Sequence, residues 1–389
     1  LGWETVVKER SRRALLRSGT AAALAGAGFL TPACAPPPGH GPDGRRTAPA
    51  PGPAGHRMPA EWRRHARTYM AWPPSDSPWR DDVPAVRRDV ARIARAVAEY
   101  EPVTLLAAPG DVARAARACG ASVDVVPVAV DDLWMRDTGP TFVTGKDGAL
   151  AGVDFHFNGW GGKQEHRRDG RVARRLLARE HVTRTDAPIT AEGGSLETDG
   201  AGTLLVTESS LVNPNRNPGR SRADVEAALR ELLGVDKVIW LKGVRGEDIT
   251  DCHVDALARF AAPGVVVLGR PASGGGPDVW TRVHAQARTV LESATDARGR
   301  RLEIVELPEP EPAGLGRRGP EFLSSYVNYY VVNDAVILPR FGDRRADDRA
   351  ASIVRDLHPG RTVVQVGIDM LAEGGGGIHC ATQQRPVAG

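Results

Sequence analysis

A periodicity constrains this chain more than anything else in its sequence. Between residues 57 and 389 a hairpin, a helix and a further strand recur in one order. Thr141–Thr144, the Gly148 turn and Ala149–Phe155 read as a hairpin, followed by a helix near 169–181 and a strand near 182–185. Leu196–Glu197 and Thr203–Glu208, a helix over 221–234 and a strand over Lys237–Leu241 repeat the order. Val254–Phe260 with Val265–Leu268, a helix at 282–294 and Leu302–Leu307 repeat it again. Tyr326–Val332 with Ala335–Leu338, a helix at 345–357 and Thr362–Val366 make a fourth copy. A looser copy runs through Tyr69–Trp72, helices at 82–99 and 111–118, and strands at Val103–Ala107 and Val123–Val128. Five ββαβ units of α/β type imply a closed ring, because each unit alone leaves sheet edges unpaired.

The phase of the repeat points to function. After the last strand of each unit comes an irregular loop rich in polar residues. The five loops carry Asp131–Asp137, Glu192–Ser195, Glu247–Asp255, Ser324–Asn328 and Glu373–Cys380. Equal phase in a ring means the same end, so the five loops are expected to meet at one pocket. A single loop Asp or His is commonly a turn residue or a cap; five in phase are not explained that way.

The N-terminal segment reads differently. Arg12-Arg13 with Leu15-Leu16, then the small apolar stretch Ala21–Leu30, has the order of a twin-arginine export signal over residues 1–35. Cys34 is a candidate lipidation site, although Thr31 and Pro32 depart from the usual lipobox. Residues 36–56 hold seven Pro and five Gly, the composition of a disordered linker. The catalytic domain is then expected over 57–389. Residues 1–56 carry seven Lys/Arg against three Asp/Glu, which leaves 44 against 45 for the remainder. That balance argues against a nucleic-acid binder. No apolar run is long enough to span a bilayer, and four cysteines are too few for a disulfide scaffold. Oligomeric state is left open, a homo-oligomer included.

Cys380 follows four glycines, which let backbone approach a ligand closely. A thiol there suits a nucleophile, and a nucleophilic thiol needs a base or a positive neighbour. His253 is the expected partner, because His379 and Cys380 would point to opposite faces if both lay on a strand. On a strand His253 and Asp255 would share a face, with Cys252 turned away. Asp137, Glu192 and Asp255 beside one thiol suit a cation, and a guanidinium offers a planar fork of donors for paired carboxylates. The Asp251–Asp255 run has neither CxxC nor HExxH spacing, so neither a metal nor another cofactor is expected.

These motifs resemble the agmatine deiminase and bacterial-type peptidylarginine deiminase family. The resemblance rests on Met58–Trp62 with Tyr69–Pro73, Trp134–Pro140, Asn158–Lys163, Glu192–Ser195, Asn213–Pro218, His253–Asp255 and Gly376–Gln384. It implies a five-bladed, pseudo-symmetric α/β-propeller. It also implies Cys380 as nucleophile, His253 as general acid and base, and Asp137 and Asp255 as the guanidinium grip. Glu192 would meet the far ammonium of agmatine and Trp134 would pack on its chain; Asn328 joins them as a substrate-binding candidate. Cys252 stands where Gly is expected, and Gly377 where Asn or Ser is usual. The implied reaction is deimination of a small cationic guanidino substrate, with agmatine first. Peptidyl- or free-arginine deimination is the alternative, and a non-catalytic guanidinium-binding protein a second.

Overall fold

A computed structural model describes residues 55–272, 274 and 278–388. The chain divides into units 1–47 and 48–389, and every described residue lies in the second. The leader and the linker through residue 54 lie outside the described residues. Among the described residues no helix is long and apolar enough to cross a membrane.

The five units fold as expected, each into a small sheet. In four of them the first strand pairs antiparallel with the second, and the second pairs parallel with the third across a helix. These strands are β4–β6 (Thr141–Thr144, Leu150–Asp154, Thr183–Asp186), β7–β9 (Glu197–Thr198, Thr203–Thr207, Lys237–Leu241), β10–β12 (Ala258–Ala262, Val265–Arg270, Glu303–Pro308) and β13–β15 (Tyr330–Val331, Ala335–Arg340, Thr362–Gly367). The crossover helices are Val172–Arg179, Arg222–Leu233, Val279–Ser293 and Arg344–Leu357. Parallel neighbours require such a crossover, because a tight turn cannot return the chain to the same end. The middle strands are continuous apolar runs: Leu204–Val206, Val266–Leu268 and Val336–Leu338 are fully buried, as for strands covered on both faces.

The fifth sheet explains why its sequence copy looks loose. β1 (His65–Ala71), β2 (Val103–Ala107) and β3 (Val123–Pro127) lie parallel in order, with helices Val83–Ala98 and Val112–Cys119 as crossovers. The antiparallel first strand comes from the far end of the chain. β16 (Gln383–Pro386) pairs with β1, setting Tyr69 opposite Gln383 and Arg67 opposite Arg385. A polar four-residue stretch has too little pattern to be read as a strand, and its partner is some three hundred residues away.

One segment ties the ring internally. Glu61 is buried, and its Oε1 accepts from Arg259 Nη2 at 2.8 Å and from the Val331 amide at 2.9 Å. Its Oε2 accepts from Arg136 Nη2 at 3.2 Å and lies 2.8 Å from His379 Nε2. Arg259 reaches on to Glu197 Oε2 at 3.2 Å and to the Tyr329 carbonyl. Strands β7, β10 and β13 and two of the irregular loops are thereby joined through one carboxylate. Burial works against its charge, but Arg259, His379 and Arg136 hold its pKa well below the usual carboxylate range.

Three expected elements differ. The strand foreseen at Tyr326–Val332 is a 3-10 turn at Tyr326–Asn328 and a strand only at Tyr330–Val331. The strand foreseen at Val254–Phe260 begins only at Ala258; Val254–Ala256 form a 3-10 turn. The reasoning that put His253 and Asp255 on one strand face therefore does not apply. The segment holding His379 and Cys380 is likewise a turn, not a strand.

Ring closure by β16 yields a prediction. Beyond its ladder, this strand sends Gln383 Nε2 to the Pro140 carbonyl at 2.6 Å and Arg385 Nη1 to Glu180 at 2.6 Å, and Gln384 accepts from Arg136 at 2.8 Å. Ending the chain after Thr382 should cost at least about 4 kcal/mol, since each bond to a charged group contributes about 1.5–3 kcal/mol. Ending it after Pro386 should leave the thermal midpoint nearly unchanged. Equal melting of the two truncations would show that β16 does not close the ring.

Candidate active site

Five short turns face one another at one end of the ring. Met135–Thr138 contacts Gly193–Ser195, which contacts Val254–Ala256, which contacts Tyr326–Asn328. The fifth turn closes the circle: the His379 amide donates to the Asn328 carbonyl at 3.2 Å, and the Arg136 amide donates to the Cys380 carbonyl at 3.1 Å. The five polar loops thus converge, and equal phase in the repeat is the reason.

Asp137, His253 and Asp255 meet at one point. A Cβ on Gly194 would lie 2.6 Å from His253 Nδ1, 2.9 Å from Asp137 Oδ1 and 3.1 Å from Asp255 Oδ2. Only glycine leaves room for the three groups together. The Gly194 amide also donates to Asp137 Oδ1 at 2.9 Å, and Trp160 Nε1 donates to Asp137 Oδ2 at 2.9 Å. Trp160 reaches that position from a left-handed backbone, φ 54°, among glycines of the Asn158–Lys163 motif.

The thiol sits beside this group. Cys380 Sγ lies 3.5 Å from Asp255 Oδ2 and 3.2 Å from Asn328 Nδ2, and the Cys380 amide donates to Asn328 Oδ1 at 3.2 Å. Asn328 therefore clamps the cysteine at its backbone and at its sulfur, a more intimate place than the substrate contact expected for it. The glycine run before Cys380 is required by close approach: Cβ atoms on Gly374, Gly376 and Gly377 would lie 1.9, 2.2 and 2.5 Å from Trp79, Trp134 and Asn328. Trp134 is buried and packs against Trp79, with ring centroids 6.0 Å apart.

Glu192 is not placed as expected. It is fully buried; its Oε1 accepts from Arg216 Nε at 2.8 Å, and its Oε2 lies 3.5 Å from His253 Nε2. Its charge is already answered by Arg216 and His253, so it does not present a face to a distant ammonium. Arg216 is held in turn by Asp251 and by the Thr250 carbonyl at 3.1 Å. Lys163 Nζ joins Asp251 Oδ2 at 2.6 Å. His379 corrects a second expectation. Set on a turn, it faces the same carboxylate as Cys380, its Nδ1 lying 2.7 Å from Asp255 Oδ2.

The electrostatics follow from burial and from these neighbours. Burial alone would push His253 down, but Asp137, Glu192 and Asp255 outweigh it and raise its pKa to about 9. Burial raises Asp137, and His253 pulls it partly back. Burial also works against ionised Asp255, yet the His379 bond and its charge hold that pKa down. Burial, Asp255 and Asp137 push the Cys380 thiol well up. The site thus favours a neutral thiol, an imidazolium and an ionised Asp255. Asp255 Oδ1 is buried without a hydrogen-bond partner.

The Asp251–Asp255 run does not gather as a metal site. Asp251 turns to Arg216 and Lys163, and Cys252 is buried with its backbone in the left-handed region, φ 69°. That φ supplies the physical reason why Gly was expected at this position. Among the described residues the one group close enough to share an ion is Asp154, His156 and Asp186. Both of its carboxylates are bonded by Arg184, which already answers one of their two charges.

Sequence reasoning missed Trp160, Arg216 and His379 as functional positions. All three lie in motifs quoted above, but only the fold shows which carboxylates they hold.

Comparison with known proteins agrees with this geometry. The family model described as Porphyromonas-type peptidyl-arginine deiminase matches residues 57–386. The chain is 41% identical to the agmatine deiminase of Stutzerimonas stutzeri, the match covering 86% of this chain and 96% of that one. It is 40% identical to the agmatine deiminase of Pseudomonas aeruginosa (strain LESB58), over the same shares. The solved agmatine deiminase of Enterococcus faecalis superposes with a TM-score of 0.80 at 31% identity, over 86% of this chain and 97% of that one. With five blades, one ring of turns and a matching model along nearly all of the described residues, the chain belongs to the Porphyromonas-type peptidyl-arginine deiminase family.

Proposed function

We propose that this protein hydrolyses agmatine to N-carbamoylputrescine and ammonia through a covalent Cys380 intermediate. The observation that carries the reading is Asp255. One of its oxygens lies 3.5 Å from the Cys380 thiol, and the other is buried without a partner. A buried unpaired carboxylate oxygen is costly unless a donor arrives. A planar guanidinium can give one N–H to Asp255 and another to Asp137 while its carbon meets the sulfur. The curated relatives at about 40% identity are named agmatine deiminases, which supports agmatine as the substrate.

The chemistry follows from the charge states. A cation bound between two carboxylates also faces the thiol and favours thiolate, whose proton passes to solvent. The sulfur adds to the guanidinium carbon. His253, protonated up to about pH 9, gives its proton to one nitrogen, and ammonia leaves. Neutral His253 then takes a proton from water, and the resulting hydroxide adds to the thiouronium carbon. The C–S bond breaks, the urea forms, and the proton released from its oxygen restores the thiol. Glu192, held by Arg216, keeps the His253 ring in place through these steps. Trp134 supplies an apolar wall for the substrate's methylene chain.

Ammonia release from agmatine, free arginine and a C-terminal-arginine peptide, assayed side by side, tests the reading. Agmatine should be turned over fastest, and preference for the peptide would overturn the assignment. Cys380→Ala should lose more than about 10³-fold in kcat while still binding agmatine, as expected when a covalent nucleophile is removed. Near-wild-type turnover by this variant would sink the covalent route.

Glu192→Gln should lower kcat by about 10²-fold, the scale of a misplaced general acid, and do so equally for agmatine and arginine. A loss confined to agmatine would restore Glu192 as the reader of the far ammonium.

The pH dependence has a definite sign. His253 has a folded pKa of about 9, above the ordinary histidine value. Its contribution to stability is full below about pH 6.5. It is lost as pH rises through about 9. Both kcat and the thermal midpoint should fall between pH 8 and 10, and His253→Asn should abolish the histidine part of the stability change. A kcat that is flat to pH 10 would remove His253 as the acid.

A further inference from the structure

One buried ionisable group has no part in the mechanism above. His379 is almost completely buried, with Nδ1 2.7 Å from Asp255 Oδ2 and Nε2 2.8 Å from Glu61 Oε2. Both ring nitrogens face carboxylate oxygens, so both donate. The ring links the carboxylate that ties the blades to the carboxylate beside the thiol.

The two oxygens of Asp255 have different surroundings. Oδ2 accepts from His379 Nδ1 and from the Cys380 thiol 3.5 Å away. Oδ1 is buried and unpartnered. To hold a guanidinium through Oδ1, the carboxylate must not rotate. One strong donor on Oδ2 meets that need, and His379 is so placed.

We infer that His379 is a positioning residue: by donating from Nδ1 to Asp255 Oδ2 it fixes the rotation of the carboxylate and aims Oδ1 at the guanidinium. Glu61 holds the far side of the ring and fixes its tilt. The inference rests on the guanidinium reading of the site. Around Asp255 the charged and titratable groups are His253 on its own turn, His379 and Cys380 on the fifth turn, Asp137 on the first and Arg259 on β10. Around His379 they are Asp255 and Glu61 at its ring nitrogens, Glu197 by charge, and Arg136, whose Nε donates to the His379 carbonyl. Of the cations near Asp255, His379 is the one whose hydrogen bond to it lowers its pKa. Removing that donor should therefore raise the Asp255 pKa and move the acid limb of kcat/KM to higher pH.

Two substitutions separate this role from a purely structural one. His379→Asn keeps an amide N–H near the Nδ1 position and loses the contact to Glu61. His379→Gln places its amide near Nε2, facing Glu61, and loses the donor to Asp255. The asparagine variant should keep kcat/KM for agmatine within about tenfold of wild type. The glutamine variant should lose more than about 10²-fold, with the acid limb at least about one pH unit higher. The reverse order, or equal losses with an unmoved acid limb, would make His379 a tie for Glu61 only and overturn the inference. If the glutamine variant does not fold, the asparagine variant decides alone: retention within tenfold supports the role, and a hundredfold loss overturns it. If neither folds, the ring is a fold element and the inference fails. Wild-type protein inert toward agmatine, arginine and the arginine peptide would sink the guanidinium reading itself, and this inference with it. An active wild type with the wrong order of variants would sink the inference alone.

Discussion

The carboxylate of Glu61 is buried at the middle of the ring, where it can stay ionised only if donors surround it. Four donors do so, and they come from separate parts of the chain: the Arg136 and Arg259 guanidinium groups, the His379 ring and the Val331 amide. Each blade is a three- or four-stranded sheet with little reason to choose its neighbours' orientation. A shared buried charge gives that reason, because a rotated blade would leave an uncompensated ion. Breaking one such buried pair costs about 3–5 kcal/mol, comparable with a large part of a domain's net stability. Glu61 lies just before β1, in residues 58–64, which form neither helix nor strand, so an irregular segment organises the blades around it.

The same network runs outward to the chemistry. From Glu61 the contacts pass to His379, then to Asp255, then to Cys380. A second buried set runs from Lys163 and Asp251 through Arg216 to Glu192 and His253. The two sets meet where Gly194 leaves space for Asp137, His253 and Asp255. His253 and Asp255 are thus each held by a titratable group that does not touch the thiol, Glu192 and His379. This is the supporting arrangement by which a site keeps its geometry and its charge states without relying on the substrate.

Three of the six non-glycine residues with positive φ among the described residues lie near this region. Trp160, Asp251 and Cys252 all have positive φ without being glycine, at φ 54°, 61° and 69°. Such conformations cost about 1–3 kcal/mol each and persist only when their surroundings over-determine them. Here each has a consequence: Trp160 gives its indole N–H to Asp137, Asp251 receives Arg216 and Lys163, and Cys252 precedes His253 as the chain enters its turn. The ring supplies the stability that these positions spend.

The amino-acid sequence by itself determined the number of units, the approximate helix spans, the shared end of the polar loops and the resemblance that names Cys380, His253, Asp137 and Asp255. These are local or periodic properties, carried by apolar patterning, glycine turns and contiguous motifs. It did not determine that residues 383–386 complete the first sheet, because strand pairing across the whole chain leaves no local pattern. Nor did it determine the partners of Glu192, His379 and Asn328. Reading residues 253–255 and 379–380 as strand made alternation the guide to which side chains converge. In the structure both are turns, where alternation does not apply, and His379 joins Cys380 at one carboxylate. Only the tertiary structure decides which charge answers which, because a buried ion takes whatever donor the closed ring brings within hydrogen-bond distance, and sequence separation has no bearing on that distance.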